Sequence, residues 1–110
     1  MRVTNFVGTN VAANGNSGFL EVVEGSNVGL TVHVSDDSGT TPTIDFEVEW
    51  SPDGIVAGSA ETPDVLAQIG VVATTFTTAE QFTVKARWCR VTWVVTGTPD
   101  YTFVGSLISV

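Results

Sequence analysis

The stretch TIDFEVEW, residues 43–50, decides the fold, because apolar and polar residues alternate along its whole length. A period of two places its apolar side chains on one face and its acidic side chains on the other. This is the pattern of a β-strand with one buried face. The stretch VGLTVHVS, residues 28–35, repeats it with Val and Leu at every second position. Together the two stretches predict a pair of long strands in one core.

Shorter runs of the same type surround this pair and predict an all-β domain. Turn sequences separate them: DDSGTTP at 36–42, SPDG at 51–54 and GTPD at 97–100. Glycine, proline and aspartate supply the backbone conformations that tight turns need. No segment has a helical period, and about seven or eight short strands indicate an antiparallel β-sandwich of the jelly-roll kind. Further strands are predicted at 2–7, 66–71, 74–77, 82–95 and 101–110, with a polar linker at 58–64.

Two strands show a change in the alternation. Near Cys89 and Arg90 the apolar positions move from even to odd numbers, which predicts a β-bulge or a strand that crosses a corner of the sandwich. The last strand is predicted to shift in the same way after Gly105.

A chain of 110 residues is the size of one domain, with 18–110 as the sandwich. Residues 1–17 are predicted to be an N-terminal arm or edge segment, since they end in a run rich in Gly and Asn. A solvated arm has no need of apolar residues, whereas an arm that becomes ordered on a partner does. Residues 1–17 contain four large apolar residues, which are therefore predicted interface residues: Val3, Phe6, Val7 and Val11.

The net charge of −8 makes nucleic acid and anionic membranes unfavourable partners. Three of the four basic residues, Lys85, Arg87 and Arg90, crowd into one segment. The favoured interpretation is cross-strand pairing of Lys85 and Arg87 with Glu47 and Glu49. The alternative is a contact patch for an acidic partner surface, and all three basic residues are therefore also candidate interface residues.

No pattern in the sequence predicts a catalytic residue, a cofactor or a metal site. The acidic row of 43–50 lies on one strand, which favours a solvated outer face over a cation site. His33 has no nucleophile beside it, and is expected to be an exposed strand residue. Residues 36–40 resemble a calcium loop only loosely and are interpreted as a turn. Cys89 is the only cysteine, which excludes a disulfide within the chain.

The three tryptophans have two interpretations. Trp50, Trp88 and Trp93 share the parity of the apolar positions in their strands, which predicts that they belong to the core. The alternative is an exposed aromatic platform for sugars. The N-terminal residues lack the apolar run of a signal peptide, and synthesis in the cytoplasm is expected.

Two stretches together resemble a known group of proteins. Residues 35–54 contain an acidic alternating strand that ends in S-x-D-G, and residues 85–98 contain R-x-x-R-V-x-W-x-V-T-G-T. This combination resembles small β proteins of tailed bacteriophages, which are head decoration or other minor virion proteins. The match covers roughly a third of the chain.

The resemblance implies a capsid decoration (cement) protein that binds the outer surface of the assembled head and stabilises it. Its partner would be the major capsid protein, and the chain would be made in the host cytoplasm and located in the virion. A homo-oligomer is expected, with a trimer favoured. The alternatives are a tail or baseplate structural protein and a carbohydrate-binding β-sandwich module.

Overall fold

The computed structural model describes residues 2–22, 26–37, 40–55, 63–70 and 76–109. All regular elements in these ranges are strands, and no helix long and apolar enough to cross a membrane occurs among them. The strands are β1 (Arg2–Val11), β2 (Gly15–Asn16), β3 (Leu20–Glu21), β4 (Asn27–Asp37), β5 (Thr40–Ser51), β6 (Asp64–Val65), β7 (Phe76–Thr83), β8 (Trp88–Thr98) and β9 (Tyr101–Ser109).

The strands form two antiparallel sheets that pack face to face. Sheet A has the order β1-β9-β4-β7. Sheet B has the order β2-β8-β5-β6, and β3 pairs with β8 beside β2. The predicted antiparallel β-sandwich is therefore confirmed.

The long strands predicted from alternation are β4 and β5, each extended by a few residues at its ends. The turn predicted at 51–54 also forms, and Gly54 has a positive φ of 75°. The Ser51 hydroxyl oxygen accepts a hydrogen bond from the Gly54 N–H at 3.0 Å, and the Asp53 carboxylate accepts one from the Ile55 N–H at 2.8 Å. These bonds satisfy backbone groups that leave the ladder at the end of β5.

The core lies between the sheets and is filled from both. An aromatic cluster occupies its centre, in which Phe103 makes edge-on contacts with Phe46 and with Trp93 at ring-centroid distances of 5.1 Å. Tyr101 is fully buried, and its hydroxyl donates to the Gly70 carbonyl at 2.8 Å. A buried tyrosine needs such a partner.

The N-terminal segment contributes edge strands to both sheets. β1 pairs with β9 in sheet A, and β2 pairs with β8 in sheet B. Phe6 is only 5% exposed and contacts the aromatic cluster. Residues 2–11 are therefore an edge strand with a side chain in the core.

Three predictions about strands are wrong. The described part of the strand predicted at 66–71 forms only an isolated bridge, between Ile69 and Ile44, after the two-residue β6. The strand predicted through residues 82–88 ends at Thr83, and the chain then crosses from sheet A to sheet B before β8 begins at Trp88. The change of parity belongs to this crossing, a few residues before the predicted place. The shift after Gly105 does not occur, since Phe103, Leu107 and Ser109 are all buried on one face of β9.

Some predicted features lie partly or wholly outside the described residues. They are positions 38–39 of the turn at 36–42, most of the linker at 58–64, and the strand segments that fall within 71–75. The side chains of the weak calcium-loop match at 36–40 also lie outside the description.

Candidate binding surfaces

The outer face of sheet A carries no carboxylate, lysine or arginine in the three cross-strand rows that fill its middle. The register places these rows across all four strands. Side chains alternate between the faces of a strand, and the buried residues of β1, β4 and β9 occupy the other parity. We call this surface the neutral face. Its first row is Val3, Ile108, Gly29 and Gln81, its second row is Asn5, Ser106, Thr31 and Ala79, and its third row is Val7, Val104, His33 and Thr77.

Three valines stand out from the neutral face. Val7 is 66% exposed and lies directly across from Val104, which is 50% exposed, while Val3 is 46% exposed. A shallow depression of about 240 Å³ adjoins the Val7–Val104 pair, and another of about 420 Å³ lies near Gln81. The face therefore combines exposed methyl groups with short uncharged polar side chains.

His33 is the one titratable residue in these rows. Its ring is half-buried, and Nδ1 lies 2.6 Å from the Thr77 hydroxyl on the neighbouring strand. The expected place on the outer side of its strand is confirmed, whereas the expected exposure is only partial.

The outer face of sheet B is charged, as the sequence predicted for the acidic row of β5. We call it the acidic face; Asp45, Glu47 and Glu49 lie along it, all half-buried. Asp45 accepts a hydrogen bond from the Gln68 side-chain amide at 2.9 Å. Glu49 forms an ion pair with Arg90 at 3.3 Å. Among the described residues, no group of three or more side chains is arranged to hold a metal ion.

An open cleft of about 410 Å³ runs along the acidic face between β5, β8 and the short strand β2. Its polar lining residues are Asn14, Asn16, Glu47, Glu49, Arg90 and Thr92. Trp93 and Val94 also line the cleft, which therefore combines hydrogen-bonding groups with apolar surface.

The basic residues do not pair as predicted. Lys85 binds Asp64 at 2.9 Å and Arg87 binds Glu21 at 2.9 Å, instead of Glu47 and Glu49. The reason is that both lie near the crossing between the sheets, where neither is opposite β5.

Arg90 forms the kind of cross-strand ion pair that the sequence predicted for Lys85 and Arg87. It pairs with Glu49 across the strands, and its guanidinium also lies 4.7 Å from the centre of the Phe19 ring. All three basic side chains are occupied by carboxylates within the domain. Their role as a contact patch stays a prediction.

The four apolar residues predicted for an interface divide into two groups. Val3 and Val7 are exposed on the neutral face. Phe6 lies in the core, and Val11 is half-buried against it. An interface role for Val3 and Val7 stays a prediction, whereas Phe6 is only 5% exposed and has little surface to offer a partner.

The prediction that the tryptophans belong to the core is confirmed for Trp50 and Trp93, which are 1% and 9% exposed. The Trp50 indole N–H donates to Asp64 at 3.0 Å. Trp88 is half-buried, and its ring covers Gly54 at the turn after β5. Trp50 therefore presents no ring face to solvent for sugar stacking, and only a small part of Trp93 is exposed, where it borders the cleft on the acidic face.

Cys89 is buried in β8 as a free thiol. Burial raises the pKa of this thiol to about 12, because the thiolate would lose its hydration. A thiol that stays protonated at neutral pH is a poor nucleophile.

Sequence reasoning missed the neutral face as a surface. One signal was present: residues 2–11 contain no acidic residue in a chain that has twelve. The rest required the register, since the face is assembled from strands at opposite ends of the chain.

No protein-family model and no curated protein sequence matches the chain. A solved CBM4 structure, a carbohydrate-binding module, is similar in fold, with a TM-score of 0.50 and 11% sequence identity over 84% of this chain. The chain spans 56% of the length of that protein. This likeness concerns the fold alone, and it agrees with the β-sandwich.

A second similar structure comes from Bacillus endospore appendages, described as a novel family of disulfide-linked pili. Its TM-score is 0.38, with 12% identity over 96% of this chain and 80% of that chain. Neither structure is a virion protein of a tailed phage, so the resemblance seen in the sequence stays a prediction.

Proposed function

We propose that this chain is a non-catalytic structural protein of a tailed-phage virion, which binds the outside of the assembled head through its neutral face. The observation that carries the proposal is the separation of charge between the two outer faces. The acidic face holds Asp45, Glu47 and Glu49, whereas the three rows of the neutral face hold no carboxylate, lysine or arginine. The sequence resemblance supplies the phage head as the partner.

The physical reason is the cost of removing charges from water. A buried charge without a good partner is strongly destabilising, and the cores of protein interfaces are depleted in charged residues. A chain of net charge −8 therefore docks at least cost on a face that carries no charge. The exposed Val7–Val104 pair supplies apolar area, and the acidic face remains in solvent.

Binding of this kind stabilises the head by mass action. A ligand that binds the assembled shell and not its separate subunits lowers the free energy of the shell by RT ln(1 + [L]/Kd) at each site. This stabilisation requires no chemical reaction. It involves neither the buried Cys89 thiol nor His33.

The test compares two matched variants, Val104→Lys on the neutral face and Val94→Lys on the acidic face. Both valines are partly exposed strand residues, 50% and 39%, and both changes alter the net charge equally. Each variant is mixed with heads that lack the decoration protein, and bound chain is counted after sedimentation. We expect Val104→Lys to lose most binding and Val94→Lys to keep it. Equal binding by the two variants would show that the neutral face is not the docking surface.

A second candidate function is carbohydrate binding, which the cleft of the acidic face and the CBM4 fold support. Sugar hydroxyls can donate hydrogen bonds to the carboxylates of Glu47 and Glu49 and accept them from Arg90. The test is calorimetric titration with soluble oligosaccharides, using Thr92→Lys to obstruct the cleft. Binding by the native chain that this variant abolishes would favour the module over the head protein.

A further inference from the structure

The described edge strands of the sandwich differ sharply in length. Sheet B ends in β6 on one side and in β2 and β3 on the other, and each of these strands is two residues long. Sheet A ends in β7, with eight residues, and β1, with ten. Unpaired backbone groups on an edge strand are a template for pairing with another strand. A very short edge strand offers few such groups.

The edge at β7 is protected against pairing by a charged residue. Glu80 lies opposite Leu30, whose side chain is buried, so the glutamate projects from the core-facing side of an edge strand. A strand added beside β7 would have to bury this carboxylate. Inward-pointing charges on edge strands prevent such pairing.

The edge at β1 has no comparable protection. Its only charge is Arg2, at its first residue, which is held by Glu21 at 3.3 Å. β1 contains no proline, and its register stays regular from Arg2 to Gly8 before an irregularity near Val11. Among the described residues, β1 pairs with β9 on one side and with no strand on the other.

We propose that β1 pairs antiparallel with β1 of a second copy of this chain, which joins two A sheets into one continuous sheet. The second copy is the occupant because β1 carries no carboxylate and no charge beyond Arg2, and the Glu21 carboxylate beside it is neutralised by Arg2, so two chains of net charge −8 can meet there. The acidic row lies on the other sheet, directed away from the contact. Charge of the same sign therefore does not oppose the pairing at its seam.

This pairing is two-fold and closes at two copies. Pairing across an axis perpendicular to the sheet keeps the same side of each strand outward, so the two neutral faces form one surface twice as wide. A cyclic trimer built through edge strands would instead require β1 to pair with a different strand, and β7 is blocked by Glu80. The dimer does not rest on the proposed role in the virion and can exist without it.

Disulfide trapping tests the contact. Single variants Val3→Cys, Asn5→Cys and Val7→Cys are oxidised alone and in pairwise mixtures, which covers the registers centred on this part of β1. Directly opposed residues of antiparallel strands have Cα atoms about 4.5 to 5.5 Å apart, within reach of a disulfide. The native Cys89 is buried and gives no background crosslink.

Val104→Cys is the matched control, since Val104 lies beside Val7 one strand further in. In the proposed dimer the two copies of residue 104 are three strand spacings apart, about 14 Å, which is too far for a disulfide. We expect strong crosslinking of at least one β1 combination and none at position 104. Crosslinking at position 104 would show that the faces pack against each other instead, and a native chain that sediments as a monomer with no crosslink in any combination would also overturn the proposal.

Discussion

The ring of Phe6 occupies the space that a side chain at Gly105 would need. The two residues lie directly opposite each other on β1 and β9. A Cβ added at position 105 would lie 2.6 Å from Cε2 of Phe6, closer than real contacts allow. An aromatic residue on one strand thus covers a glycine on the next, which seals the core beside the edge of sheet A and fixes the register of β1.

The first prediction concerns this pair. Gly105→Ala should lower the free energy of unfolding by about 1 to 3 kcal/mol, because the methyl group overpacks the core against Phe6. In a Phe6→Ala background the same change should cost little, since the ring is absent. Urea denaturation measures both values.

Gly29→Ala is the matched control for that prediction. Gly29 also lies in a strand of sheet A, but the nearest atoms to an added Cβ are 4.0 Å away. We expect near-native stability for this variant. Additive costs for Phe6→Ala and Gly105→Ala would contradict the contact.

Much of the fold could be predicted from the sequence, and the failures have physical causes. β4 and β5 could be predicted because every second side chain is buried from Val28 to Val34 and from Ile44 to Trp50. The parity shift after Gly105 was predicted wrongly because a glycine that faces the core has no apolar side chain to mark its position. Here Phe6 of the neighbouring strand fills that place. The crossing was predicted near Cys89 and Arg90 instead of at 84–87, because Val84 and Ala86 continue the alternation of β7.

The surfaces were less predictable than the strands. The ion pairs of Lys85 and Arg87 depend on which strands are neighbours, and the pattern of a single strand does not contain that information. The neutral face likewise joins Val7 with Val104 through a pairing between the two ends of the chain.

The second prediction concerns Trp93. Trp93→Ala should cost about 3 to 5 kcal/mol, because it removes a ring that packs against Phe6 and Phe103. Val94→Ala, at the next and partly exposed position, should change stability by no more than about 0.5 kcal/mol. Near-native stability of Trp93→Ala in denaturant would place this ring on the surface and restore the sugar-platform interpretation.

The third prediction concerns pH. The pKa of Cys89 is about 12 in the folded chain, against an ordinary value of 9.0. Below pH 9 both states keep the proton, and the thiol makes no pH-dependent contribution. Above pH 9 the thiol of the unfolded chain ionises while the buried one does not, so the free energy of unfolding falls by up to about 1.4 kcal/mol per pH unit.

Comparison of the native chain with Cys89→Ala isolates this effect from other groups that titrate at high pH. Urea melts at pH 8 and pH 10.5 should show a steeper loss of stability for the native chain than for the variant. Identical losses would mean that Cys89 is accessible to water in the folded state.

The fourth prediction separates two arginines. Arg90→Ala should destabilise the domain by about 1 kcal/mol, because Arg90 both pairs with Glu49 and lies over Phe19. Arg87→Ala should change stability by less than about 0.5 kcal/mol, since its side chain is 71% exposed and its ion pair is solvated. Thermal melts of the two variants provide the comparison, and a larger loss for Arg87→Ala would contradict the described contacts.

The most direct test of the proposed function is the number of chains bound to each assembled head. Native chain is titrated into purified heads that lack the decoration protein, and bound copies are counted by quantitative mass analysis after sedimentation. We predict saturation at a number set by the symmetry-related sites of the shell, with no binding to unassembled capsid protein. Failure to sediment with heads at any concentration, or equal binding to the unassembled protein, would contradict it.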